Sequence, residues 1–313
     1  MTDPSFIFIV GPTAVGKSEI ALSVALRHQA EIVSCDAMQV YREVAIANDK
    51  PSARAMELVV HHLVGIIPVT EDFNAARFRQ LALETIRDIQ ARGKTPLIVG
   101  GTGMYMTVLL DGIFEGTLAD ADLREELTQE IKARGGGFLH ERLLGLDPQA
   151  AAKIHPNDPQ RIIRALEVVL STGQPLSQLQ PKREGLWGKM PIKIFALNRE
   201  REELYRRVES RVDQMFTKGL LEEVKHVSSL PLSTTARKII GIPEVSGYLN
   251  GEYDIERAKY LMKLNTRHYV KRQLTWFRRD KRLTWIDIKS DDTSEGIVQK
   301  ILSTRQAPPQ ESK

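Results

Sequence analysis

The sequence predicts an α/β protein: a parallel sheet flanked by helices, with a helical insertion domain set into it. Three observations carry this. Short apolar runs alternate with helical stretches towards both ends of the chain. The first run feeds directly into a glycine-rich turn. The middle, residues 117–180, keeps a charged helical pattern with no convincing strand.

Phe6 to Val10 is the first apolar run, and Ser18 to His28 places Ile20, Ala21, Val24 and Ala25 at helical spacing behind it. Glu31 to Ser34 reads as a second short strand. Phe73 to Arg92 reads as an amphipathic helix with Phe78, Leu81, Ala82, Thr85, Ile86 and Ile89 on one stripe, stopped by Gly93. Pro96 to Val99 is a third strand, closed by Gly100, Gly101 and Gly103, and Ile192 to Leu197 is a late one. Residues 201–282 are mostly helical. The insertion is punctuated by glycines 135 to 137 and by the steps Asp147-Pro148 and Asp158-Pro159. The expected organisation is a core of residues 1–116 and 181–313 around an insertion of residues 117–180.

Composition excludes several classes. At 313 residues, 42% hydrophobic and 27% charged, the chain has the makings of a soluble globular protein with a sizeable core. A net charge of +4 is compatible with a nucleic-acid partner without demanding one. Cys35 is the single cysteine, so no internal disulfide forms and a reducing cytosol fits. The N-terminus has no basic region ahead of its short apolar run, which is not a signal peptide. No stretch approaches the roughly 20 apolar residues that span a bilayer. A cytoplasmic protein with no membrane partner is expected, and a monomer, since there is no coiled coil or repeat. The end after Ile301, with Pro308 and Pro309, reads as disordered.

The strongest local signal is Gly11-Pro12-Thr13-Ala14-Val15-Gly16-Lys17-Ser18, a G-x-x-x-x-G-K-S loop between a strand and a helix. Glycines let the backbone curl round an anion with its N–H groups inward, and the helix N-terminus adds positive potential. Lys17 supplies a cation and Ser18 a hydroxyl suited to Mg²⁺. The core is therefore of P-loop type, and phosphates are its expected ligand. The strand at Pro96–Val99 ends in glycines where an NTPase keeps an acid, which argues against a motor or switch GTPase. Asp36, just past the second strand, falls at the same sheet edge as the loop. By itself it reads as a general base, a metal-shell residue or a helix N-cap.

Further stretches occur in order: Asp36-Ala37-Met38-Gln39-Val40-Tyr41-Arg42, His61-His62-Leu63, Leu97 to Tyr105 with its G-G-T-G-M-Y, and His155-Pro-Asn-Asp-Pro-Gln-Arg-Ile-Ile-Arg-Ala-Leu-Glu167. With these the sequence resembles the bacterial tRNA dimethylallyltransferases, also called tRNA isopentenyltransferases, over nearly its whole length. The resemblance implies a P-loop holding the diphosphate of dimethylallyl diphosphate rather than ATP, with Mg²⁺. It implies a tRNA anticodon stem-loop clasped between core and insertion, and prenyl transfer to N6 of the flipped adenine at tRNA position 37. By the same resemblance Asp36 is the base, Thr13 contacts the diphosphate, and Arg211 reaches it. Asp36, Ala37, Met38, Gln39, Thr102, Arg124, Gln160, Arg161, Arg164, Arg237 and Gly241 match tRNA-contacting positions. His61 and His62 read as a packed structural pair.

Three stretches depart from the family pattern. Ala37 stands where Ser is common. Ala45-Ile-Ala-Asn-Asp-Lys-Pro51 replaces a motif close to D-I-G-T-A-K-P, and Arg237-Lys-Ile-Ile-Gly241-Ile-Pro243 lacks the usual aromatic and basic residues after the glycine.

Between Arg257 and Arg282 there are ten Lys or Arg and one acid, with Tyr260, Tyr269, Trp276 and Phe277 interleaved. That pattern suits a helix tracking a phosphate backbone, or one packing its aromatics inward and solvating its charges. Two other enzymes share the P-loop and Asp36. A small-molecule kinase leaves the H-P-N-D-P-Q-R block unexplained, and an adenylate (AMP) isopentenyltransferase has no need of the long insertion.

Overall fold

In this computed structural model, residues 6–113, 121–180 and 183–304 are described. The expected boundary at 117 and the prolines of the C-terminal tail lie outside them. The chain divides into two compact units, residues 1–109 with 187–313, and residues 110–186.

The larger unit is built on six parallel strands: β1 (Phe6–Val10), β2 (Ala30–Ser34), β3 (His61–His62), β4 (Thr95–Gly100), β5 (Ile192–Arg199) and β6 (Thr284–Ile288). Their order across the sheet is β3-β2-β4-β1-β5-β6. β1 and β2 are buried along their whole length, as strands covered on both faces should be. The helices of this unit are α1 (Lys17–His28), α2 (Ala53–Leu58), α3 (Ala75–Ala91) and α4 (Gly103–Leu110), and after the insertion those from residue 201 onward. Phe78, Ala82, Ile86 and Ile89 of α3 are buried as its stripe predicts.

Sequence reading missed two strands. β3 is only two residues long, too short for any periodicity. β6 is an edge strand, Thr-Trp-Ile-Asp-Ile, in the stretch after Arg282 to which the sequence reading assigns no element. The pair His61-His62 is β3 itself, and His62 Nε2 lies 2.7 Å from Glu31 Oε2.

The smaller unit holds α5 (Ala121–Arg134), α6 (Gly136–Leu146), α7 (Pro148–Ala151), α8 (Pro159–Thr172) and α9 (Leu176–Leu179), with no strand among its described residues. Leu127, Leu139, Leu143, Ile162, Ala165 and Leu166 form its core. The two Asp-Pro steps start helices: Asp147 caps α7 by accepting from the Ala150 N–H, Asp158 caps α8 by accepting from the Arg161 N–H, and each is followed by proline in the first turn.

The remaining helices are α10 (Arg201–Thr217), α11 (Leu220–Ser228), α12 (Ile242–Leu249), α13 (Ile255–Phe277) and α14 (Ser294–Ser303). α14 carries order two residues past Ile301, where the sequence suggested a disordered end. No described helix is long and apolar enough to cross a membrane.

One ionic knot fastens the β3 edge of the sheet. Glu31 of β2 is only 2% exposed, and its carboxylate accepts from both terminal nitrogens of Arg92, from Lys94 Nζ and from the His62 edge. The Arg92 hydrogen bonds, with those of Lys94 and His62, hold this carboxyl far below the usual range in spite of burial. A folded-state value below the unfolded one stabilises the fold above the unfolded value, and that contribution is lost as pH falls through and below the ordinary carboxyl range. Glu31→Gln is expected to cost about 1–3 kcal/mol at pH 7. Its urea midpoint should fall less than that of the parent between pH 5 and pH 3; parallel falls would show that Glu31 carries none of the acid sensitivity.

Candidate active site

The sheet order sets three strand ends side by side. β2, β4 and β1 are neighbours, with Ser34 in register with Val99 and Val10 with Gly100. The phosphate loop after β1, Asp36 after β2 and the Gly100–Gly103 turn after β4 therefore gather at one edge, where parallel sheets bind their ligands.

Two of the glycines are steric requirements. Gly11 has φ +145°, and a Cβ there would lie 2.6 Å from the Leu197 carbonyl oxygen. A Cβ on Gly100 would lie 2.0 Å from the carbonyl oxygen of Cys35. Closeness at Gly100 lets the Cys35 N–H donate to Val99 O at 2.7 Å and its carbonyl accept from Thr102 N at 3.2 Å, which fixes the strand end that carries Asp36.

Asp36 sits in a turn of its own making. Oδ1 accepts from the N–H groups of Met38 (2.9 Å) and Gln39 (3.4 Å). No helix follows until α2, so the N-cap alternative is replaced by this turn. Oδ2 accepts no hydrogen bond from the described residues. Thr102 Oγ1 accepts from Ala37 N at 3.0 Å, and Gln39 spans the turn, accepting from Ser34 Oγ.

The phosphate loop is gripped from α10 and α13. Arg211 Nη1 donates to Thr13 Oγ1 at 2.6 Å, and Arg207, one turn earlier, donates from Nε to Ala14 O at 2.8 Å. Both arginines thus face the loop. Arg199 donates from Nε to Val15 O at 2.9 Å. Gln273, buried on α13, joins the loop to the β4 turn: Thr13 N donates to its Oε1 and its Nε2 donates to Gly101 O, both at 2.9 Å. Lys17 Nζ donates to Pro12 O at 2.7 Å. Burial pushes the Lys17 ammonium down to about 8, although Asp36 pulls it upward.

Two cavities meet here. The larger, about 630 Å³, is walled by polar groups that include Lys17, Ser18, Asp36, Asp49, Arg207 and Arg211. The smaller, about 250 Å³, is lined by Ala47, Val212, Met215, Ile239 and Met262 together with Met38, Tyr269 and Arg272. Thr13, Lys17, Asp36, Asn48 and Arg211 border both. Segments 45–51 and 237–243, where the sequence departs from the family pattern, both contribute to the smaller cavity, through Ala47 and Asn48 and through Lys238, Ile239 and Ile240.

A family model described as IPP transferase matches residues 39–280. The chain belongs to the IPP transferase family. A tRNA dimethylallyltransferase of Thermotoga maritima is 43% identical over 91% of this chain and 93% of its own. One from Geobacter metallireducens is 45% identical over 90% and 92%. Among solved structures, the tRNA isopentenylpyrophosphate transferase of Bacillus halodurans superposes with TM-score 0.69 at 38% identity, covering 96% of both chains. A eukaryotic dimethylallyltransferase acting on tRNA superposes with TM-score 0.81 at 26% identity, covering 98% of this chain and 81% of that one. The parallel sheet with flanking helices is the fold of these IPP transferase structures.

The remaining expected site residues are Arg124, Gln160, Arg161 and Arg164 in the smaller unit, and Arg237 and Gly241, which line neither cavity, in the larger. Arg124 makes a two-nitrogen pair with the buried carboxylate of Glu167, and Arg164 lies 3.4 Å from the same group. Gln160 and Arg161 are exposed at the start of α8. Arg237 donates to Leu232 O, and the Gly241 N–H donates to Glu244 Oε2 at 2.6 Å. On α13, Phe277 is buried, Tyr260 is 49% exposed, and Lys271, Arg272, Arg278 and Arg279 are exposed without an ion pair among the described residues.

Ser18 is exposed at the mouth of the larger cavity. No group of three or more His, Cys, Asp or Glu able to hold a metal occurs among the described residues. The Ser18 hydroxyl is an oxygen donor of the kind Mg²⁺ accepts when phosphate and water supply its other ligands.

Proposed function

We propose that this chain transfers a dimethylallyl group from dimethylallyl diphosphate to N6 of the adenine at position 37 of a tRNA anticodon stem-loop, giving N6-isopentenyladenosine and diphosphate. The observation that carries it is the shared wall: a polar cavity that bears Lys17, Arg206, Arg207 and Arg211 and a smaller one with an apolar side of Val212, Met215, Ile239 and Met262 meet at Asp36, Lys17, Thr13 and Arg211. In this reading the diphosphate fills the larger cavity, and the reacting organic groups meet in the smaller. Relatives named as tRNA dimethylallyltransferases support tRNA as the acceptor.

The exocyclic amine of adenine is a weak nucleophile, because its lone pair is delocalised into the ring. A carboxylate within reach of N6 orients the amine and takes its proton as nitrogen bonds to the allylic carbon. Asp36 has a free oxygen for that task, while backbone amides fix the other. The allylic C–O bond breaks, and the electron pair leaves with the diphosphate. In this reading Lys17, Arg211 and N–H groups of the loop receive that charge. Ser18 would hold a Mg²⁺ ion, which would supply further neutralisation of the leaving group.

The deciding experiment mixes the protein and Mg²⁺ with labelled dimethylallyl diphosphate and either bulk tRNA or AMP. Label in tRNA is expected. Label only in AMP moves the activity to the free nucleotide, and label in neither removes the prenyltransferase reading.

Lys17 adds a pH signature. With its ammonium pushed down to about 8, the free protein holds the cation below that pH and loses it above. Inorganic pyrophosphate should therefore bind about tenfold more weakly at pH 9 than at pH 7, with proton uptake on binding at the higher pH. Calorimetry in buffers of different ionisation enthalpy measures both; a flat profile excludes Lys17 as the titrating anchor.

A further inference from the structure

The loop from Ala45 to Lys50 is held with unusual thoroughness for an irregular segment. Glu223 of α11 accepts hydrogen bonds from three successive amides, Ala45 and Ile46 at 2.7 Å and Ala47 at 2.9 Å. Asn48 Nδ2 donates to Met38 O at 2.6 Å, and Gln39 Nε2 donates to the carbonyl of Asp49 at 3.2 Å. Asp49 itself adopts φ +46°, a left-handed conformation that Asp tolerates better than most side chains.

What this loop presents is a carboxylate in the wall of an anion site. Asp49 lines the larger cavity together with Lys17, Arg206, Arg207 and Arg211. Its Oδ2 lies 3.4 Å from Arg211 Nη1, the nitrogen that donates to Thr13 Oγ1, and its side chain is 53% exposed. Its charge also reaches Lys17, raising that ammonium's affinity for its proton. A fixed acid among these cations opposes any anion entering the cavity, and an exposed pair of this kind is weak enough to be displaced.

We propose that Asp49 is an internal competitor for Arg211: its carboxylate occupies the arginine in the empty protein, yields it to an incoming diphosphate, and retakes it as the diphosphate departs. This rests on the larger cavity being the diphosphate site. The loop clamped by Glu223 keeps the competitor in place, so that it weakens diphosphate binding by a set amount.

The test is titration of the full chain with inorganic pyrophosphate, with and without Mg²⁺. Asp49→Asn preserves shape and suits a positive φ, and Asp49→Gly removes the side chain at a φ glycine accepts. Both should bind pyrophosphate about three- to tenfold more tightly than the parent. That gain should vanish when Arg211→Gln is the background, because the competitor then has nothing to compete for. Unchanged or weaker binding by both variants overturns the proposal. Weaker binding seen only with Mg²⁺ also overturns it, making Asp49 a ligand of the metal shell. A gain that survives in the Arg211→Gln background overturns the pairing in favour of general repulsion. Failure of the parent to bind pyrophosphate removes the diphosphate site itself, and the competitor with it.

Discussion

Asp36→Asn is expected to lower the rate of prenyl transfer about 10²- to 10⁴-fold, the range by which a positioned base accelerates such a step. The asparagine is chosen because its carbonyl oxygen can still accept from the N–H groups of Met38 and Gln39, the two bonds that shape the turn. It has no site for a proton taken from N6. Alanine loses the base and the turn together and does not separate the two. Pyrophosphate affinity is the companion readout: it should stay within a few fold of the parent, since the cations that hold the anion remain. Single-turnover transfer at near-parental rate by the asparagine variant would falsify the assignment of Asp36 as base.

The second large effect is expected at Gly100. A methyl group there meets the Cys35 carbonyl oxygen, which belongs to backbone and has no rotamer to escape into. Gly100→Ala should cost about 3 kcal/mol, the upper end for overpacking, measured as a drop in the urea midpoint. What remains folded should also transfer poorly, because relief of the clash moves the strand end on which Asp36 stands. Gly137→Ala is the control, since a Cβ there meets nothing and the position is helical. It should be neutral or slightly stabilising. Equal stability of the two variants would mean that β2 and β4 adjust without cost.

What the sequence disclosed was whatever chemistry lies within a few residues of itself. Gly11 to Ser18 forms one turn, and Asp36 follows its strand directly, so local pattern placed both at the sheet edge. Gln273 stands 260 residues from Thr13 and on a helix that reads as a basic surface, so spacing had no means of joining them. The pair between Asp49 and Arg211, and the Glu223 clamp, depend on which helix the sheet order brings over the loop. Arg124 shows the converse: matched to a tRNA-contacting position, it is held by Glu167, 43 residues further along the chain, whereas the contact of Arg164 with the same carboxylate is an i,i+3 helix pair. Edge elements were lost for another reason. β3 has two residues, and in β6 the pattern is exposed at Thr284 and Asp287 as an outer strand's can be, so neither carries the apolar run that betrays an inner strand.

The bridge made by Gln273 also imposes an order on biosynthesis. The loop at residues 11–18 leaves the ribosome early, yet its partners on α10 and α13 follow long after it. β1, the centre of the sheet, likewise waits for β4 on one side and β5 on the other. A nascent chain lacking α13 therefore carries the whole phosphate motif with Thr13 N and Gly101 O unjoined, and an apolar strand with open edges that invites chaperones. Ligand recognition matures only once the last large helix has docked, so premature termination upstream of residue 273 releases a chain that has the motif and lacks the site.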